Sequence, residues 1–380
     1  MSSAIALRPV AAQSDSRPYI LPKQLAEPSL GEVLLLAVAA SLLFFLTVIS
    51  LGHFRAVVDG FGDSVAYMNV AAAIRHWDFS HLVVKQFWGY PYAMALLSTL
   101  TGAPDRVALL LISYLSYLIS VGLAHRLWGG WVAAFFAVLN FDWLQRAMLG
   151  GSEPLFMALL LGAFLAARRE SWNWAALLAS LATVVRPLGV FALVGIGLVL
   201  LYRRQYAKFI FATLIGAAVG ALYVWPMARH LGDPLATVHS YQSSGGRSLF
   251  GVPFYAMIVG TMHDPAPWTN LALSFLWITF VTAGAVGMAV TREFRRHAKS
   301  FPVEALFVVP YLLMIYTYNY PVFARSNFAR FAIPAVPFVL LAWQRSIPRN
   351  RYLLGALALV SPVLAAVSAL GLQNVLHRIG

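Results

Sequence analysis

Residues Leu30 to Leu51 read LGEVLLLAVAASLLFFLTVISL. This apolar run has about the 20 residues that an α-helix needs to cross the hydrocarbon core of a bilayer. It exceeds the apolar core of a secretory signal peptide, which has about 7–15 residues. The run therefore predicts an uncleaved first membrane span. The polar residues 1–28, which carry Arg8, Arg17 and Lys23, are expected to form a cytoplasmic tail.

The rest of the chain repeats this apolar pattern. Of its 380 residues, 60% are hydrophobic and 11% are charged, and its mean hydropathy is +0.74. Soluble domains are about 45–50% apolar and about 25% charged. The sequence predicts an all-α polytopic membrane bundle of roughly ten to twelve helices. Residues 29–380 are expected to form a single membrane domain, with short interfacial helices in its external loops.

The formal net charge of +13 does not indicate nucleic-acid binding, because the cations are not gathered into one stripe. They fall in short clusters between apolar runs, as the positive-inside rule predicts for cytoplasmic loops. The clusters lie at 168–169, 203–208, 292–299 and 345–351. The chain has no cysteine, which excludes thiolate nucleophiles and cysteine-ligated metal sites.

This charge pattern places residues 53–88, 230–268 and 316–330 outside the membrane on the far side. Apolar residues of 64–77 lie near one helical face and predict an interfacial helix. Residues 230–268 show little helix signal. Between the first external loop and the 168–169 cluster the chain must cross an odd number of times, and the sequence allows three, four or five helices there.

Two carboxylates, Asp59 and Asp63, follow the first span in a chain with only 14 acidic residues. A carboxylate beside a bilayer can act as a general base towards an attacking hydroxyl. The alternative is an ordinary solvated loop, because Asp and Gly favour turns.

Two further charges stand beside apolar runs. Glu153 precedes Pro154 at the start of a predicted helix, where a carboxylate stabilises the helix dipole. It could instead bind a sugar hydroxyl or act as a second acid. Arg186 lies between two apolar runs with no basic neighbour, so it is expected to have an acidic partner. The alternative for Arg186 is a solvated external loop.

Arginines on the predicted outer side oppose the positive-inside tendency. Arg325 and Arg330 are expected to bind an anion there, and a lipid phosphate suits the guanidinium fork. Lys85 and Arg247 are weaker candidates for the same role. A headgroup contact is the alternative for each of them.

Other chemistries find no foothold in the sequence. The nine histidines are scattered with no pair at metal-ligand spacing, so no metal or other cofactor is expected. No Gly-rich phosphate loop precedes a helix, and no Gly-x-Ser-x-Gly segment occurs.

Five ordered segments resemble the GT-C superfamily of integral-membrane glycosyltransferases. This superfamily includes protein O-mannosyltransferases, aminoarabinose transferases and the mannosyltransferases of glycolipid anchor assembly. The segment Asp63-Ser-Val-Ala-Tyr67 resembles the aspartate–tyrosine motif of the first external loop. The others begin at Phe87 (FWGYPY), Ser152 (SEPLF), Val185 (VRPLG) and Arg330 (RFAIPAVP).

The resemblance implies transfer of a sugar from a polyprenyl-phosphate carrier to a hydroxyl of a lipid, glycan or protein at the external face. It further implies inversion, an Asp general base, and a bacterial inner-membrane location with a periplasmic site. Position relative to Tyr67 points to Asp63 as the base. Many relatives carry two adjacent acids, whereas the second acid here is Asp59, so Asp59 stays the alternative.

Two other functions remain open at the level of the sequence. A transporter or lipid flippase would use the same Asp and Arg residues as a transmembrane pathway. A non-catalytic envelope subunit would not need the aspartates. The positions of Asp63, Glu153 and Arg330 distinguish these alternatives, because a transferase needs them together and a transporter needs them spread along a path.

Overall fold

The computed structural model describes residues 26–79, 82, 86–245, 250–263, 268–319 and 327–371. Within these ranges the regular structure is helical, and the one extended contact is an isolated antiparallel bridge between Phe250 and Tyr318. The prediction of an all-α fold is confirmed.

The first half of the bundle consists of helices α1 to α10. Their bounds are α1 Leu30–Leu51, α2 Phe54–Gly60, α3 Ser64–His76, α4 Gly89–Thr101, α5 Asp105–Trp128, α6 Gly130–Val138, α7 Phe141–Leu149, α8 Glu153–Arg168, α9 Trp172–Val185 and α10 Val190–Tyr202. A 3-10 turn, Pro187–Gly189, joins α9 to α10.

The second half consists of helices α11 to α19. Their bounds are α11 Tyr206–Leu231, α12 Ala236–Gly245, α13 Tyr255–His263, α14 Trp268–Val290, α15 Arg292–Ser300, α16 Pro302–Thr317, α17 Phe328–Ala332, α18 Val336–Ala342 and α19 Arg351–Leu370.

In the described part of the chain, four helices are long and apolar enough to cross a membrane, namely α1, α5, α11 and α19. Two bent pairs raise this number to six if each pair is one span: α7 with α8, at 106°, and Ser274–Val290 with α15, at 74°. Shorter apolar helices cover Trp172–Val185, Pro187–Tyr202 and Pro302–Thr317. The chain is therefore an integral membrane protein.

One short helix, α8, lies inside the bundle. Helix α8 packs between α5 and α9, and its Phe156, Leu160 and Phe164 are fully buried. Backbone at membrane depth can be this short when protein, and not lipid, surrounds it. Each end of α8 carries a buried ion pair, between Arg186 and Glu153 at its start and between Arg168 and Glu304 at its end.

Two apolar runs of the sequence are interrupted in the structure. The run 131–143 is split, because Asn140 caps α7 by accepting a hydrogen bond from the backbone N–H of Trp143. The run 331–343 is split between α17 and α18, where Pro334 lies in the gap.

The expectation of little helix in residues 230–268 is wrong, because α12 and α13 form there. The placement of this segment outside the membrane stays a prediction. The sequences of α12 and α13 have little helical periodicity, so tertiary contacts must supply the stability. Thr237 of α12 is buried against Met227, and Ala256 and Met257 of α13 are buried in the main core. By contrast, the helix predicted over 64–77 forms as α3.

Candidate functional site

Four segments of the chain meet at one end of the bundle. They are the turn that leads into α3, the turn between α7 and α8, the end of α9, and α17. Their side chains Asp63, Glu153, Arg186 and Arg330 form what we call the acid–arginine cluster. These residues are distant in sequence, and the packing of α8 on its neighbours brings them together.

Glu153 is the buried centre of the cluster. It opens α8, followed by Pro154, and its side chain is only 2% exposed. Its Oε1 atom accepts a hydrogen bond from Arg186 Nη1 at 2.6 Å and another from Arg330 Nε. Two cations therefore neutralise this carboxylate, which satisfies the expectation of an acidic partner for Arg186.

Local sequence explains how Arg186 reaches Glu153. Arg186 ends α9 in an extended conformation with φ −146° and ψ 125°. Pro187 follows it, and a residue before proline is disfavoured in the helical region. The side chain also lies 3.4 Å from Ser152 Oγ.

Asp63 is the accessible carboxylate of the cluster. One third of its side chain is exposed (33%). It accepts hydrogen bonds from Arg330 Nη2 at 3.2 Å and from Gln86 Nε2 at 3.3 Å. Arg330 therefore bridges the open carboxylate and the buried one.

The charge state of Arg330 follows from these contacts. Burial by itself would lower its pKa, but the neighbouring charges of Glu153 and Asp63 raise the pKa above its ordinary value. The guanidinium is therefore cationic under all relevant conditions.

Tyr67 lies directly behind Asp63 on α3. Its ring packs edge-on to Tyr90 at 5.1 Å, and its hydroxyl donates to Ser152 Oγ at 3.0 Å. Burial, and then the charge of Asp63, raise the pKa of Tyr67. The side chain is therefore a neutral hydrogen-bond donor and not a phenolate.

Asp59 lies apart from the acid–arginine cluster. Its two oxygens accept hydrogen bonds from Arg106 Nη2 at 2.5 and 2.8 Å. Both side chains of this pair are about one third exposed, at 37% and 30%. The structure thus gives the two candidate bases different surroundings.

The remaining predicted residues are Lys85, Arg247 and Arg325. All three lie outside the described residues. Their expected role in binding a phosphate stays a prediction. Arg330, assigned the same role from the sequence, is engaged by the two carboxylates.

Sequence reasoning missed Arg146, Ser152 and Gln86. Arg146 is buried (8% exposed) near the end of α7, with its guanidinium 4.5 Å from the centre of the Phe61 ring. The signal was present, because an isolated arginine near membrane depth indicates function by default.

The arrangement has a clear chemical capacity. A partly exposed carboxylate held by an arginine can accept a proton from a hydroxyl, while buried guanidinium groups can hold an anion. Among the described residues, no group of three His, Cys, Asp or Glu side chains could hold a metal ion.

Comparisons with known proteins give one structural likeness. No family model and no curated protein matches the sequence. The chain is similar to "Crystal Structure of ArnT from Cupriavidus metallidurans bound to Undecaprenyl phosphate", with a TM-score of 0.49 and 16% identity. The match covers 86% of this chain and 62% of the ArnT chain. This chain therefore spans less than two thirds of the length of the ArnT chain. At this level of similarity the likeness carries no conclusion about function.

Proposed function

We propose that this protein is a GT-C-type glycosyltransferase. It moves a sugar from a polyprenyl-phosphate carrier to an acceptor hydroxyl at the external face of the membrane. The observation that carries the proposal is the meeting of Asp63, Glu153 and Arg330 in one cluster at one end of the bundle. A transmembrane pathway would instead distribute such residues along its length.

Asp63 is the proposed general base. It is the one carboxylate of the cluster with substantial exposure, and Arg330 and Gln86 fix its orientation. Asp63 takes the proton of the acceptor hydroxyl as its oxygen attacks the anomeric carbon of the donor sugar. The bond from that carbon to the carrier phosphate breaks on the opposite face, so the configuration is inverted.

Cationic side chains stabilise the departing phosphate, which gains negative charge as the bond breaks. Positioned donors of this kind are effective in a buried site because they need no reorganisation. Glu153 does not act on the substrate, because two arginines bind its Oε1 atom and its side chain is shielded from solvent. We assign it the task of holding Arg330 against Asp63.

The external placement of the site rests on charge. The basic segments 168–169, 203–208, 292–299 and 345–351 mark the cytoplasmic side by the positive-inside rule. Arg168 ends α8 and Glu153 begins it, so the acid–arginine cluster lies at the opposite end of that helix from the first of the basic loops.

The test uses purified protein with labelled polyprenyl-phosphate sugars. Asp63→Asn should lower the rate of carrier release about 10²- to 10⁴-fold, the usual contribution of a general base. Asp59→Asn is the matched control, since it removes a carboxylate of the same loop that is paired with Arg106, and it should change the rate less than about tenfold. Folding is checked by thermal unfolding of each variant.

Other outcomes would redirect the proposal. If Asp59→Asn alone abolishes turnover, the base is Asp59 and the chemistry stands. If the carrier moves between leaflets of a vesicle without being cleaved, the protein is a flippase. If neither variant alters carrier cleavage, the carboxylates have no catalytic role.

A further inference from the structure

Among the described arginines of this region, Arg146 has no carboxylate bound directly to it, whereas Arg186 and Arg330 do. It lies in α7, three residues before the helix ends at Leu149. The face of Phe61 holds its guanidinium at 4.5 Å. A Cβ atom on Gly62 would meet Arg146 Nη1 at 3.4 Å. The guanidinium therefore lies under the turn that presents Asp63.

The hydrogen bonds of the three arginines differ. Arg330 donates to Glu153 and Asp63, and Arg186 donates to Glu153. Within the described ranges, no oxygen accepts a hydrogen bond from Arg146, and its Nε atom is buried without a partner. Burying a cation without hydrogen-bond partners is unfavourable, so this arrangement points to a missing anion.

The neighbouring charges do not supply the hydrogen-bonding anion that Arg146 lacks. Glu153, Asp142 and Asp63 attract it, and Arg330 repels it. None of the three carboxylates is within hydrogen-bonding geometry of its guanidinium in the described structure. Arg330 lies close enough to Arg146 for their charges to repel each other, and an anion that binds both guanidinium groups would offset that repulsion.

The backbone is shaped to keep Arg146 close to the cluster. A Cβ atom on Gly151 would come within 2.7 Å of Arg146 Cδ and of Glu153 Oε2. Glu153 Oε2 is also buried, and no described residue forms a hydrogen bond with it. Only glycine at this position allows the two side chains to approach each other.

We propose that Arg146, beside the acid–arginine cluster, binds the phosphate of the polyprenyl carrier. This inference rests on the proposed function and adds to it a binding residue that the sequence did not suggest. The carrier phosphate would accept hydrogen bonds from the guanidinium while the ring of Phe61 keeps the guanidinium plane in place.

The test compares the affinity of purified protein for polyprenyl phosphate with that for polyprenol of the same length. Arg146→Gln should weaken phosphate binding about 10- to 100-fold, as expected for loss of charge-assisted hydrogen bonds, and leave polyprenol binding unchanged. Arg146→Lys should lose less, because it keeps the charge but not the fork. Arg203→Gln, at the other end of the bundle, is the matched arginine control.

Each result has a distinct meaning. If Arg146→Gln weakens both ligands equally, Arg146 is structural and the inference fails. If its phosphate binding equals that of wild type, the inference fails while the proposed function stands. If wild type binds polyprenol as tightly as polyprenyl phosphate, the proposed donor is wrong. If inorganic phosphate competes at equal concentration, the site binds free phosphate and not a lipid-borne one.

Discussion

Helix α8 carries a buried ion-pair cluster at each end, and the two differ in how completely they are satisfied. At its C-terminus Arg168 binds Glu304, through Nε at 2.6 Å and Nη2 at 3.0 Å. Trp128 Nε1 donates to the same carboxylate at 3.0 Å, and His297 Nε2 lies 2.7 Å from it. We call these four residues the Glu304 network.

Arg168, the cation of the Glu304 network, also has partners other than Glu304. Arg168 Nη1 donates to the backbone oxygen of Leu127 at 2.6 Å, and its guanidinium stacks on Phe301 at 3.7 Å. At the other end of α8, Glu153 Oε2 and Arg146 Nε have no hydrogen-bond partner among the described residues, and Asp63 is one third exposed. A fully satisfied network fixes structure, whereas an incomplete one leaves groups for a ligand.

The largest effect that the comparison predicts is on stability at the satisfied end. Glu304→Ala leaves Arg168 buried and unpaired, and should lower the free energy of unfolding by about 3–5 kcal/mol. Reversible unfolding in mixed micelles measures this. Glu170→Ala is the control, because its pair with Arg203 is exposed, and it should cost less than about 1 kcal/mol. Equal losses in both variants would remove the distinction between the ends.

At the other end of the helix the main effect should be on rate. Glu153→Gln loosens Arg330, and a misplaced positioning group lowers catalysis by about 10²-fold. The release of carrier per folded molecule measures it. Glu304→Gln should stay within about twofold of wild type. If the two glutamines slow the reaction equally, the two clusters do not divide structure from function.

The smallest predicted effect sharpens the geometry of the incomplete end. Gly151→Ala places a methyl group against Arg146 and Glu153, and should destabilise the protein by about 1–3 kcal/mol. The loss of carrier binding should exceed that of a merely destabilised protein. In Gly220→Ala the new methyl group meets nothing within 4 Å, so stability should rise by about 0.5–1 kcal/mol. A stable, fully active Gly151→Ala variant would contradict the proposed packing.

Much of the bundle could be read from apolar runs. The run Trp172–Val185 is α9 to the residue, and Leu30–Leu51 is α1. Failures occurred where one side chain or tertiary packing decides the outcome. The cap at Asn140 splits a run that composition presents as continuous, and α12 and α13 depend on neighbours that no local pattern reveals.

The candidate site was likewise predictable in part. Unusual charges beside apolar runs indicate Asp63, Glu153, Arg186 and Arg330 from the sequence alone. Their convergence could not be predicted, because Glu153 and Arg330 are 177 residues apart and meet only through helix packing. For the same reason the sequence could not separate Asp59, paired with Arg106, from Asp63.

The length of α8 has a consequence for how a lipid-borne substrate arrives. Its 16 residues rise about 24 Å, which is less than the roughly 30 Å of bilayer hydrocarbon. Its two charged ends therefore cannot both reach the headgroup layers of an unperturbed bilayer. Because protein and not lipid surrounds α8, one end of the helix can lie below the headgroups. A carrier diffusing in the leaflet could then deliver its phosphate sideways, while its chain stays in the hydrocarbon.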